Sequence, residues 1–291
     1  MSTRTRSVLA TALVALLLAC NGSDSTDPGN GGNGGNGGGG SNPPPPPPPP
    51  PAAVLLKDVE VSSLPSPYYH FAYDSTGRVD SVSFASGFTM YHALYDGDRL
   101  SELDNNTLGN ADRLLYTYDN AGHVSLVRYV RPDNTVWSRV ALSYTGDQLV
   151  ALVRLRLLGD SLVLEKTLTF SYYPDGNLRT LVDTRPEIAG VQTASETVDS
   201  FFAYDQGRNV DAFGLLHNDF FDHLVLLPGV VLQKGNPAHI VHTGSGTEFT
   251  QDNTVSYDDE GRPTRIDGDV VLTNGSDAGK HVAVSTAYTY Y

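Results

Sequence analysis

A seven-residue stretch, Tyr73-Asp74-Ser75-Thr76-Gly77-Arg78-Val79, recurs along the chain and leaves little freedom in what it can fold into. It returns as Tyr118-Asp119-Asn120-Ala121-Gly122-His123-Val124, as Tyr257-Asp258-Asp259-Glu260-Gly261-Arg262-Pro263 and, with the aspartate displaced, as Tyr172-Tyr173-Pro174-Asp175-Gly176-Asn177-Leu178. Shorter copies start at Tyr95 and Tyr144, and the copy at Tyr204 keeps the length but moves its glycine to Gly207. Such repetition means one supersecondary unit used many times. Before each turn, apolar or aromatic residues stand two apart, as in Phe71/Tyr73, Tyr116/Tyr118 and Phe170/Tyr172, which puts both on one face of a strand. The following Asp-x-x-Gly suits a tight reversal: the aspartate bonds the backbone ahead of it, and the glycine takes the positive φ that closes the loop. After each turn the spacing becomes three, as in Val79/Val82, Leu100/Leu103, Val124/Val127 and Leu178/Leu181. A regular strand cannot hold that step on one face, so the pattern predicts a β-bulge just past each turn, adding twist and curling the sheet.

Turns of the opposite sense, at Arg131-Pro132-Asp133-Asn134, Leu158-Gly159-Asp160, Pro186 to Gly190 and Asn274-Gly275-Ser276, alternate with these corners. The implied fold is all-β, a large curved or barrel-like antiparallel meander of about fourteen to sixteen strands, more than an open sheet carries without curling or closing. One interruption stands out, between Tyr204 and Tyr257. Within it, apolar residues four apart at Phe220/Leu224 and Phe221/Val225, with Asn218 or Asp219 as cap and Pro228-Gly229 as stop, predict a short helix in an insert of residues 214–235. Such a helix would cover one face or open end of the sheet, which makes Phe220, Leu224 and Tyr204 the candidate ligand-facing residues.

The first 51 residues are of another kind. Residues 1–19 have the layout of an export signal: Arg4 and Arg6, then an apolar run from Val8 to Ala19 that is too short to span a bilayer as a helix. Residues 20–51 form a tether, with a Gly/Asn/Ser coil of about 25 Å and then a polyproline rod, Pro43 to Pro51, of about 28 Å. Residues 52–291 are read as a single antiparallel domain. Cys20 is the only cysteine, so no internal disulfide is available to it. The formal net charge of −14 disfavours nucleic acid or an anionic membrane surface as a partner.

Leu17-Leu18-Ala19-Cys20 resembles the lipobox of bacterial lipoproteins, which implies cleavage before Cys20 and lipidation of that residue. The Tyr-Asp-x-x-Gly-Arg units resemble the YD repeats of RHS-type and teneurin-type surface proteins. Lipobox, hairpins and the insert from Tyr204-Asp205 to Gly235-Asn236-Pro237 together resemble secreted lipoproteins with a DUF4595-type domain of unknown function, which implies a porin-like fold. Val210 and Gly235 depart from that family's pattern, which has proline and a second asparagine there. The resemblance implies an outer-membrane lipoprotein, facing periplasm or exterior, with a membrane partner through its lipid anchor and no activity to carry over.

Residues that could carry chemistry are scattered. His239 and His242 lie three apart in an expected strand and so point to opposite faces, and His217 and His223 are six apart, so no metal site is expected. No serine-nucleophile elbow is present, no cofactor motif is recognisable, and no catalytic residue is assigned. The sixteen tyrosines could stack on sugars, but the repeat itself accounts for most of them as packing partners at hairpin ends. The expected role is therefore non-enzymatic binding or structure, by a monomer. The binding partner would be a glycan or an apolar ligand, and the alternatives are an envelope glycan hydrolase, a carrier of an apolar or acyl ligand within the curved sheet, and an integral outer-membrane barrel. The last is disfavoured by strands such as Val79 to Phe84, which carry no continuous lipid-facing band.

Overall fold

The computed structural model describes residues 55–107, 109–209, 215–217 and 224–291. Its strands are β1 (Leu56–Val61), β2 (Tyr69–Tyr73), β3 (Val79–Phe84), β4 (Thr89–Asp96), β5 (Arg99–Asn105), β6 (Arg113–Tyr118), β7 (Val124–Val130), β8 (Val136–Thr145) and β9 (Gln148–Leu158). They continue as β10 (Ser161–Tyr172), β11 (Leu178–Arg185), β12 (Ser195–Tyr204), β13 (Leu215–His217), β14 (Leu224–Leu226), β15 (Pro237–Gly244), β16 (Phe249–Tyr257), β17 (Pro263–Leu272) and β18 (His281–Tyr290). All except β13 and β14 join one closed antiparallel barrel, in which each strand pairs with its neighbour in sequence, β12 pairs with β15, and β18 pairs with β1. The curved meander thus closes completely and leaves no sheet edge.

The repeat builds this ring. At each corner the register slips by one residue: Tyr73 pairs with Val79 while Ala72 pairs with Ser81, and the same shift recurs at Tyr95, Tyr118, Tyr144, Tyr172 and Tyr257. This is the bulge that the three-apart spacing demands, and it turns the sheet a little at every hairpin. The β1–β18 pair carries a corresponding shift between Leu56 and Asp58 and completes the ring without a connecting turn. In the turns, the Asp74 carboxylate accepts the Thr76 and Arg78 amides, and Asp119 accepts those of Ala121 and His123. The Thr76 hydroxyl and the Arg78 backbone hold the Asp74 carboxyl well below the usual carboxylate range. Gly77 and Gly122 take φ of 82° and 96°, which a side chain would strain.

All the repeat tyrosines but Tyr257 then tie their hairpins to the neighbouring one. The Tyr95 hydroxyl donates to the Val79 carbonyl at 2.8 Å, Tyr118 to Leu100 at 2.8 Å, Tyr144 to Val124 at 3.0 Å, and Tyr172 to Leu149 at 2.6 Å. Tyr204, Tyr290 and Tyr73 reach Leu178, Pro263 and Leu56 in the same way. The acceptor is always the residue paired with the neighbouring corner's tyrosine, as Val79 is with Tyr73, Leu100 with Tyr95 and Leu56 with Tyr290, so the tyrosines form a ring at one rim of the barrel. Cations close over several of them, with Arg78 4.4 Å from the Tyr95 ring centroid and Arg262 4.9 Å from that of Tyr290.

One face of nearly every strand is buried and the other is not. In a single-walled closed barrel the buried face is the lumen, so Tyr69, Phe71, Tyr91, Leu103, Leu114, Val127, Leu149 and Phe201 form an internal core. The outer wall carries Asp58, Glu60, Ser83, Asp252, Thr254, Asp267 and Asp269.

The expected helix needs correcting. Of its span, Leu224–Leu226 is strand β14, paired with β13, and no helix occurs among the described residues, while Phe220 lies outside them. The reason is visible in the sequence: Leu224-Val225-Leu226-Leu227 is a continuous apolar run ended by Pro228-Gly229, and a short run of that kind reads equally well as a buried strand.

Candidate functional site

Eight strands close around a lumen that wall side chains can fill, whereas sixteen enclose one that they cannot. Here the chain itself occupies the space. Leu226, Leu227, Val230 and Leu232, from the stretch between β12 and β15, are between 0% and 3% exposed and belong to the same core as the inward side chains of the wall. The Leu226 amide donates to the hydroxyl of Tyr116, a lumen residue whose phenol burial pushes well above its ordinary pKa. This stretch is therefore a plug.

The plug is latched at the tyrosine rim. Asn177 Oδ1 accepts the amides of Lys234 and Gly235 at 2.7 and 3.0 Å, and Asn209 donates to the Gly235 carbonyl at 2.9 Å. Asp205 Oδ1 accepts the Asn236 amide at 2.9 Å, and Tyr257 donates to the same carboxylate while accepting from Asn236 at 2.8 Å. Tyr257 is thus the repeat tyrosine diverted from the ring to the latch. A Cβ on Gly235 would lie 2.6 Å from the Asp205 carbonyl oxygen, so only glycine fits there. The shifted Gly207 is required for a separate reason, because a Cβ there would collide with the Tyr257 hydroxyl.

Toward the other end, the inner wall of β8 to β11 turns ionic. Arg154 Nε lies 2.9 Å from Glu165 Oε2, with the two side chains 5% and 9% exposed. Arg156 approaches Glu165 at 3.5 Å, Lys166 approaches Asp183 at 3.9 Å, and Arg185 donates to Asp183 at 2.8 Å. A register shift between Leu164 and Lys166 explains how consecutive residues, Glu165 and Lys166, are both buried. Gln192 donates to the Glu165 carbonyl at 2.9 Å and brings the β11–β12 loop over the group. Each carboxylate here is held by cations, an arrangement suited to fixing the wall rather than to moving protons. Glu165→Gln would strand Arg154 without its counter-charge and is expected to cost about 3–5 kcal/mol in urea unfolding. Arg154→Met with Glu165→Leu should recover most of that, and a loss below about 1 kcal/mol for the single change would remove the network from the fold's energetics.

Five histidines among the described residues, His70, His123, His239, His242 and His281, are engaged by aspartates. His242 faces inward, 2.7 Å from Asp199 and stacked on Phe249, and His239 faces outward, 2.6 Å from Asp252, so the offset of three does separate the two rings. His70 and His281 sit on Asp58 and Asp269. Among the described residues no three potential metal ligands gather. Of the candidate ligand-facing residues, Tyr204 belongs to the rim ring, Phe220 lies outside the described residues, and only the backbone of Leu224 is described. Cys20 also lies outside them. The ionic group was missed in the sequence, although Arg154 and Arg156 interrupt the leucine alternation of β9 at inward positions.

No family model matches the chain, and no curated protein does. Among solved structures, a porin-like protein from Bacteroides uniformis is similar at 13% identity, covering 77% of this chain and 89% of its own, with a TM-score of 0.49. A porin-like protein from Bacteroides vulgatus is similar at 14% identity, covering 81% of this chain and 99% of its own, with a TM-score of 0.47.

Proposed function

We propose that this chain is an envelope lipoprotein presenting a water-facing, plugged barrel on a lipid-anchored tether, and that it acts by binding or scaffolding rather than as a pore or a catalyst. The observation that carries this reading is the polarity of the wall. A barrel that crosses a membrane has an apolar band outside and a polar lumen, whereas here the lumen holds the apolar core and the outer wall holds Asp58, Glu60, Asp252 and Asp267. The plug removes the conduit as well. Leu17-Leu18-Ala19-Cys20 supports lipidation, and the hairpin repeat with its insert supports kinship to DUF4595-type lipoproteins built from YD-like units. The preformed acyl cavity that a carrier needs is disfavoured, because the chain's own leucines fill the space.

Expression of the full chain in a bacterial host tests this. Wild type is expected in the membrane fraction even after a high-salt wash and Cys20→Ala in the aqueous fraction after that wash, without detergent, and the released protein should add no conductance steps to a planar bilayer. A Cys20→Ala protein that still needs detergent, or that conducts, would overturn the reading.

A further inference from the structure

On most of the outer wall, charges meet opposite charges: His70 sits on Asp58, His239 on Asp252 and Arg265 on Asp267. The arrangement on β7 and β8 is different. Arg128 on β7 and Arg139 on β8 are direct cross-strand partners, both outward, between inward Val127, Tyr129, Ser138 and Val140. Like charges placed directly opposite destabilise a sheet. No hydrogen bond or ion pair ties either arginine to another described residue, and Arg128 Nε is buried without a partner. Next in the same row come leucines. Leu155 pairs with Arg139 on one side and with Leu164 on the other, and Leu157 pairs with Leu162 one step further out. Leu164 and the tip residue Leu158 are 41% and 43% exposed. The β9–β10 hairpin therefore sets a row of leucines beside the arginine pair, with Leu164 among them open to solvent.

We propose that this face docks on an anionic phospholipid surface, with Arg128 and Arg139 on the phosphates and the β9–β10 leucines seated among the headgroups. Charge complementarity selects the occupant. Two adjacent guanidiniums with no acid between them cost stability in water and repay it only against anions, and the leucines beside them favour an apolar layer just beneath those anions. The chain's net charge of −14 is no obstacle, because the contact is local and charges beyond about 8–10 Å are screened. The inference does not depend on Cys20 being lipidated.

The test uses the full chain with Cys20→Ala, so that no acyl anchor contributes, in co-sedimentation with vesicles of pure phosphatidylcholine or of equimolar phosphatidylcholine and phosphatidylglycerol. Binding is expected to the mixed vesicles alone and to fall with added salt. Arg128→Gln with Arg139→Gln should weaken it by about 30-fold, at about a tenfold to hundredfold range per arginine pair near a charged surface, while the melting temperature stays level or rises. Leu162→Ser with Leu164→Ser should weaken it without altering the salt dependence. Equal binding to both vesicles, binding to neither, or lost binding accompanied by a lowered melting temperature would overturn the proposal.

Discussion

Raising the pH from about 9 to 12 is expected to unfold the barrel in one cooperative step, because the ring and lumen tyrosines must stay protonated for the fold to hold. Burial is the leading cause, and it pushes the phenol of Tyr95 up to about 12 and those of Tyr118, Tyr129, Tyr144, Tyr204 and Tyr290 upward as well. For a group whose folded pKa is raised, the stabilisation is complete below the unfolded value, about 10 for tyrosine, and is lost as pH climbs toward the folded value. One proton per phenol is worth at most about 1.4 kcal/mol per pH unit, and partial solvation of the rim reduces that to roughly half. Summed over these six phenols, the loss by pH 12 is of order 5–10 kcal/mol, comparable to the whole stability of an ordinary domain. Tyrosinate absorbance and far-ultraviolet circular dichroism should therefore change together. Tyr95→Phe with Tyr144→Phe should blunt the alkaline loss while costing about 1 kcal/mol per hydroxyl at neutral pH. Phenols that titrate independently near pH 10, ahead of unfolding, would contradict a protonated ring.

The hairpin wall was legible in the sequence because it is local. A strand ending in two apolar residues two apart, an Asp-x-x-Gly turn and an apolar pair three apart fix the hairpin, its bulge and its face without reference to the rest of the chain. What was not legible depends on closure. That Tyr118 reaches Leu100, rather than a ligand, follows only once consecutive hairpins lie side by side. That Arg154 meets Glu165 depends on a bulge at Leu164–Lys166 that no repeat announces. The insert failed for a different reason. Its four-apart spacing and its unbroken apolar run supported helix and strand equally, and its partners, Tyr116 and Asn177, lie far away in sequence. Local rules built the wall, and the contents of the lumen had to be seen.

Leu227→Ala combined with Leu232→Ala is expected to cost about 4–10 kcal/mol in urea unfolding, because both side chains are fully buried and each such truncation in a core costs about 2–5 kcal/mol. The magnitude discriminates between two pictures of the insert. If it merely rested against the rim, the pair would behave as surface positions and change stability by less than about 1 kcal/mol. Phe202→Ala provides the control: this ring stands on the outer wall, 40% exposed, and its loss should be small. The truncations also remove matter from the apolar core that these leucines share with Phe71, Leu103, Leu114 and Phe201. Such a space stays dry and takes up small apolar molecules. Benzene should therefore raise the melting temperature of the double variant and leave wild type unmoved, whereas wild-type stabilisation by benzene would mean that the lumen has vacant apolar space even with its leucines in place.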